Sequence, residues 1–134
     1  MAEYSWDHVH IKTYDVTSSA KWLQDKLGAK PMHGTEITPA RADMMLGGVR
    51  VLFTEVKQGD GTNATPSIPY AGFEHFGLAV KDIDKACAEL KAKGVEFTRE
   101  PTTIRPGVRI CFIRGPQGIS IELLERGGIG KLPD

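Results

Sequence analysis

Cysteine is scarce in this chain: two residues, Cys87 and Cys111, among 134. One pair cannot build the disulfide framework of a small secreted scaffold, and a reduced, cytoplasmic setting is the simplest expectation. An excess of one charge is missing too. Seventeen basic residues balance seventeen acidic ones, so no basic stripe points to nucleic acid and no Lys/Arg-rich amphipathic run points to a membrane surface. No apolar run is long enough for a spanning helix. The opening MAEYSWDHV does not join a basic region to an apolar one, so no export leader is expected. The length suits one domain, or two small repeated halves, that buries roughly two-thirds of its unfolded surface without a staple.

What is present is a repeat. HVHIKTYD runs from His8 to Asp15 and HFGLAVKD from His75 to Asp82, so both the histidines and the aspartates stand 67 residues apart. Each aspartate opens a helical pattern. In DVTSSAKWLQDKLGAK, Ala20, Leu23 and Leu27 recur at helical spacing, with Asp15, Thr17 or Ser18 as candidate caps and Gly28 as the stop. In DIDKACAELKAKGVEF, Ile83, Cys87 and Leu90 do the same, with Asp82 or Asp84 as cap and Gly94 as the stop.

Strand patterns follow each helix. In the first half they cover roughly 30–38, 40–46 and GVRVLFTEV from Gly48; in the second they are VEFTRE, GVRICFIR and GISIELLER. LGGV at 46–49 suits a tight hairpin, and GPQG at 115–118 suits a turn with Pro at its second position. The Gly/Pro-rich stretch up to Gly72 is the one plausible linker. These patterns predict an α+β fold of two βαβββ modules, about 5–57 and 73–126 joined by 58–72, within a single domain. The helices cover one face of mostly antiparallel sheet, and if that sheet is curved its helix-free faces enclose a cleft. The loops at 30–40, 57–72 and 100–107 shape that cleft, and the tail RGGIGKLPD reads as a surface terminus.

Strands point alternate side chains to opposite faces. If Val9 and Ile11 face the helices, then His8 and His10 look away; by the same parity His75, Glu122, Arg50, Leu52 and Thr54 share helix-free faces. In VRICFI, Val108, Ile110 and Phe112 form the smoother apolar set, which leaves Arg109 and Cys111 opposite the helices. Ligand-type and polar residues thus gather where small-molecule sites require them.

The segments DHVHIKTYD, EHFGLAVKD and FIRGPQGISIELLE, on a repeated βαβββ pattern of this length, resemble the vicinal oxygen chelate superfamily of glyoxalases, epimerases, extradiol dioxygenases and drug-resistance proteins. The resemblance implies a divalent metal in a cleft formed by two modules, with ligands on the first and last strand of each. Carried over by position, the metal ligands are His8, His75 and Glu122, with Glu122 also a catalytic carboxylate. The fourth position falls at Leu52, which cannot coordinate, and Glu55 lies three residues on and on the other face. Two imidazoles and one carboxylate suit Fe, Mn, Zn, Ni or Co. His10 is the candidate acid–base group beside His8, and Arg50, Thr54 and Arg109 are candidate substrate contacts.

Four functions compete. The leading one is a metal-dependent lyase or isomerase of the glyoxalase or epimerase type, acting on a small oxygenated substrate chelated to the ion. The second is an extradiol-type ring-cleaving dioxygenase with a 2-His-1-carboxylate iron site. The third is a resistance protein that transfers a thiol to a drug or sequesters it. The last leaves the helix-free faces as a dimer interface with incidental histidines. The resemblance also implies a homodimer, because small members of the family build each cleft from two chains.

Overall fold

The computed structural model describes residues 1–127, so the tail read above as a surface terminus lies, from residue 128 on, outside the described residues. The chain divides into two compact units, Met1–Ala64 and a second that begins at Thr65, and the division falls inside the expected linker. The first unit runs β1 (His8–Thr13), α1 (Val16–Leu27), β2 (Lys30–Pro31), β3 (Arg41–Leu46) and β4 (Val49–Glu55). The second runs β5 (His75–Ala79), α2 (Ile83–Ala92), β6 (Phe97–Arg105), β7 (Val108–Arg114) and β8 (Ser120–Arg126). Each is the βαβββ module that the patterns predict, and the fold is α+β.

Each unit forms its own four-stranded sheet, with the same strand order. The strand order is β1-β4-β3-β2 in one and β5-β8-β7-β6 in the other. The outer pair in each, β1 with β4 and β5 with β8, is parallel, and the other two pairings are antiparallel. A parallel pair needs a long crossover, which the helix and the intervening strands supply.

Local chemistry sets the element ends. Asp15 caps α1 by accepting the Ser18 N–H at 2.9 Å, and Gly28 ends it with a left-handed φ of 73°. Asp82 caps α2 in the same way, accepting the Lys85 N–H at 3.1 Å. Two consecutive positive-φ glycines, Gly47 and Gly48, make the β3–β4 hairpin tight, as a primed turn requires.

In the first unit α1 lies on β3 and β4; Val16, Ala20 and Leu23 are buried there with Ala42, Met44, Val51 and Phe53. In the second, α2 lies on β6 and β8; Ile83, Cys87 and Leu90 are buried with Cys111, Ile113, Ile121 and Leu123. A buried hydroxyl pair, Thr13 with Ser19 at 2.8 Å, ties the end of β1 to α1.

Two boundaries differ from the sequence reading. The segment 100–107, expected as a loop, is strand as far as Arg105. Thr102, Thr103 and Ile104 favour extended backbone, and Pro101 is tolerated because β6 is an edge strand with register shifts around it. The segment at 30–38 pairs only at Lys30 and Pro31, since proline cannot extend a ladder. Among the described residues, no helix is long and apolar enough to cross a membrane.

Candidate functional site

Register sorts the helix-free face of the first unit. His8 pairs with Arg50, His10 with Leu52 and Lys12 with Thr54 across β1–β4, while Asp43 of β3 stands opposite Leu52. The side chains of His8, His10, Arg50, Leu52, Thr54 and Asp43 therefore share one face, as parity predicted for the first five. The Nδ1–H of His8 donates to the Asp7 carboxylate at 2.6 Å, and this contact holds the Asp7 carboxyl below its ordinary range. His10 Nε2 lies 2.7 Å from Thr54 Oγ1, and the two histidine rings meet edge-on at 6.3 Å. Partial burial, then the neighbouring Lys12, His8 and Arg41, pull the His10 pKa below the ordinary imidazole value. Leu52 is 6% exposed.

The second unit repeats the frame with different side chains. His75 pairs with Ser120, Gly77 with Glu122 and Ala79 with Leu124 across β5–β8. His75 Nε2 lies 2.9 Å from Glu122 Oε2, and its Nδ1 lies 3.0 Å from Glu74 Oε1. The imidazole thus stands between two carboxylates. Phe112 meets its ring edge-on, with centroids 5.0 Å apart at 86°. The position beside Glu122 has no room for a side chain at Gly77: a Cβ there would come within 2.7 Å of Leu124 Cδ1 and 3.8 Å of Glu122 Oε2. Since His10 and Gly77 are also 67 residues apart, Leu52 stands in its sheet where Glu122 stands in the other.

One strand turns the other way from the expectation. Phe112 pairs with Glu122, and Cys111 pairs with Leu123, so Phe112 is on the helix-free face. Cys111 and Arg109 are on the helix side: Cys111 Sγ lies 3.2 Å from Cys87 Sγ of α2, and Arg109 donates to Asp84 of α2 at 2.7 Å. VRICFI is apolar on both faces, so its period assigns neither; the register with β8 decides. Arg109 is thereby withdrawn from the candidate substrate contacts.

The donor chemistry of His75 and Glu122 suits a divalent ion. Two ligands each roughly 2.1 Å from a common ion and at right angles stand about 3 Å apart, and the N–O separation here is 2.9 Å. Among the described residues no three His, Cys, Asp or Glu side chains cluster to hold a metal; the second unit provides a two-donor set.

Residues 5–123 match the model of the family described as the Glyoxalase/Bleomycin resistance protein/Dioxygenase superfamily. The chain belongs to this superfamily. Superfamily relatives include a probable lactoylglutathione lyase of Vibrio cholerae, 26% identical over 125 residues that cover 88% of both chains. A probable chloroplastic lactoylglutathione lyase of Arabidopsis thaliana is 50% identical over 58 residues, 42% of this chain but only 17% of that protein's length. Among solved structures, a glyoxylase/bleomycin resistance protein/dioxygenase domain from a Frankia species is 26% identical with a TM-score of 0.72, covering 97% of this chain and 96% of the other. The fosfomycin resistance protein FosX of Listeria monocytogenes shares the superfamily fold at 16% identity, with a TM-score of 0.71 over 96% of this chain and 97% of its own.

Two features of this superfamily member escaped the sequence reading. Asp7 and Glu74 are 67 residues apart like the histidines they precede, so the repeat could have found them. The place of Phe112 against His75 had no such signal.

Proposed function

We propose that this chain is a metal-dependent lyase or isomerase of the glyoxalase type, acting on a small oxygenated substrate. The observation that carries the reading is the His75–Glu122 pair, an imidazole nitrogen and a carboxylate oxygen in contact on a helix-free sheet face. The two relatives named lactoylglutathione lyase support the reaction class. A divalent ion held there would polarise a substrate carbonyl or enolate oxygen as a Lewis acid. His75 and Glu122 would hold it, with His8 as a further imidazole ligand. Glu122 is the carboxylate proposed to accept the proton released from the carbon beside the polarised oxygen. His10 is the proposed second acid–base group, oriented by Thr54. Arg50 and Thr54 are the proposed substrate contacts. The reading includes a homodimer in a reducing, cytoplasmic setting, where the adjacent thiols of Cys87 and Cys111 stay reduced.

The test is metal content after anaerobic, chelator-free purification, for wild type, His75→Ala and His8→Ala. About one Zn, Ni, Co or Mn per chain in wild type, lost in His75→Ala, supports the lyase reading; its loss in His8→Ala adds His8 to the ligands. About one Fe(II) per chain with oxygen uptake on catechols favours the dioxygenase instead, for which the same nitrogen–oxygen donors are suited. Absence of metal from every protein after each ion is added refutes both.

A further inference from the structure

We propose that Glu74 is a positioning residue for His75, and Asp7 its counterpart for His8: each carboxylate takes the Nδ1–H of the histidine that follows it and so commits that ring's Nε2 to ligand binding. The inference rests on the metal-holding reading above and adds to it two residues outside the ligand set.

Neighbouring residues within a strand point to opposite faces and do not ordinarily touch. Asp7 and Glu74 escape that rule because β1 starts at His8 and β5 at His75. Each acid is the last residue before its strand, and its side chain turns back onto the imidazole, at 2.6 Å for Asp7 and 3.0 Å for Glu74. That the same contact forms in both units, from different acids at the same repeat offset, is the central observation. In the second unit the backbone is also tied: Tyr70 Oη donates to the carbonyl oxygens of Phe73 at 2.9 Å and Glu74 at 3.4 Å. Glu74 is the more sheltered of the two acids, its side chain 27% exposed against 75% for Asp7, so its hydrogen bond is screened less by water.

The chemistry follows from the single N–H of a neutral imidazole. Whichever nitrogen carries it has no lone pair to offer a cation. Glu122 sits 2.9 Å from Nε2 and, were it the only carboxylate on the ring, would draw that hydrogen onto Nε2 and block it. Glu74 on the far side holds the hydrogen at Nδ1 and leaves the Nε2 lone pair facing Glu122. The edge-on Phe112 ring restricts the remaining rotation. The same partner outside a metal ligand commonly changes metal affinity by about 10–100-fold.

Two measurements on the full chain test this. The tautomer of His75 is read from its ring nitrogen chemical shifts in metal-free, 15N-histidine-labelled protein at pH 8, in wild type, Glu74→Ala and Glu74→Gln. Affinity for Ni2+ and Co2+ is read by calorimetry on the same three. The expected result is an Nδ1–H ring in wild type. In Glu74→Ala, and in Glu74→Gln where Glu122 is likewise the only carboxylate on the ring, the hydrogen moves to Nε2, and in the alanine variant affinity falls about 10–100-fold. An unchanged tautomer and affinity in Glu74→Ala overturn the inference. If wild type binds neither ion yet the tautomer moves as stated, Glu74 still positions the ring and the metal reading is what fails. If all three bind alike and no tautomer moves, the metal reading survives and the positioning role does not.

Discussion

Replacing Leu52 by glutamate would restore to the first unit the side-chain type that Glu122 supplies in the second, and the structure predicts that the sheet resists it. Leu52 is 6% exposed although it lies on the helix-free face. Losing its burial costs roughly 1.5–3 kcal/mol. The new carboxylate would be desolvated, and it would stand directly across from Asp43, where a like charge adds about 0.2–1 kcal/mol of repulsion. Together with incomplete hydrogen bonding, the expected loss is about 3–5 kcal/mol. That is a large share of the roughly 5–15 kcal/mol that holds a domain of this kind folded. Urea denaturation at pH 8 reads it directly: with a slope of about 2 kcal/mol per molar, the midpoint falls by roughly 2 M. Adding Asp43→Asn to Leu52→Glu should return about 0.2–1 kcal/mol, since the repulsive partner is gone. A Leu52→Glu midpoint equal to wild type would refute the reasoning. The position would then be open to water and able to take a carboxylate, and leucine would not be what closes it.

The two thiols should be inert in the native protein. Burial, then the contact with Cys87, pushes the Cys111 thiol up to about 12; a raised value keeps it protonated at pH 8. Alkylation at pH 8 should label neither cysteine until denaturant is added and both then react; stoichiometric labelling of folded protein would contradict the burial of this pair. Arg109 should matter to α2 and not to the metal. Its guanidinium holds the Asp84 carboxyl below the ordinary carboxylate value, so the pair is intact at neutral pH and is lost as pH falls through that lowered value. In Arg109→Met, carbonyl-carbon NMR should find Asp84 titrating closer to its ordinary range, with Ni2+ affinity as in wild type. An unmoved Asp84, or a lost ion, would return Arg109 to the site.

Legibility varied with how local the cause was. The caps at Asp15 and Asp82, the hairpin at Gly47–Gly48 and the two histidine-headed strands could be read directly, because each depends on a few neighbouring residues or on period two. The face of β7 could not. Its apolar residues fall on both sides, and only pairing with β8 puts Phe112 beside Glu122 and Cys111 beneath α2. The hydrogen bonds from His8 to Asp7 and from His75 to Glu74 were visible only as a repeat offset, because strand alternation hides contacts that form where a strand begins.

The chain order therefore determined by itself that there are two βαβββ modules, that each begins with a histidine, and that one closing strand carries glutamate where the other carries leucine. These follow from spacing, and spacing is a property of the chain. Only the tertiary structure decided that His75 stands between Glu74 and Glu122, that Leu52 is sealed, and that Arg109 is paired with Asp84 on α2. Each of those depends on which strands hydrogen-bond to which, and register between distant segments sets which side chains come within 3 Å.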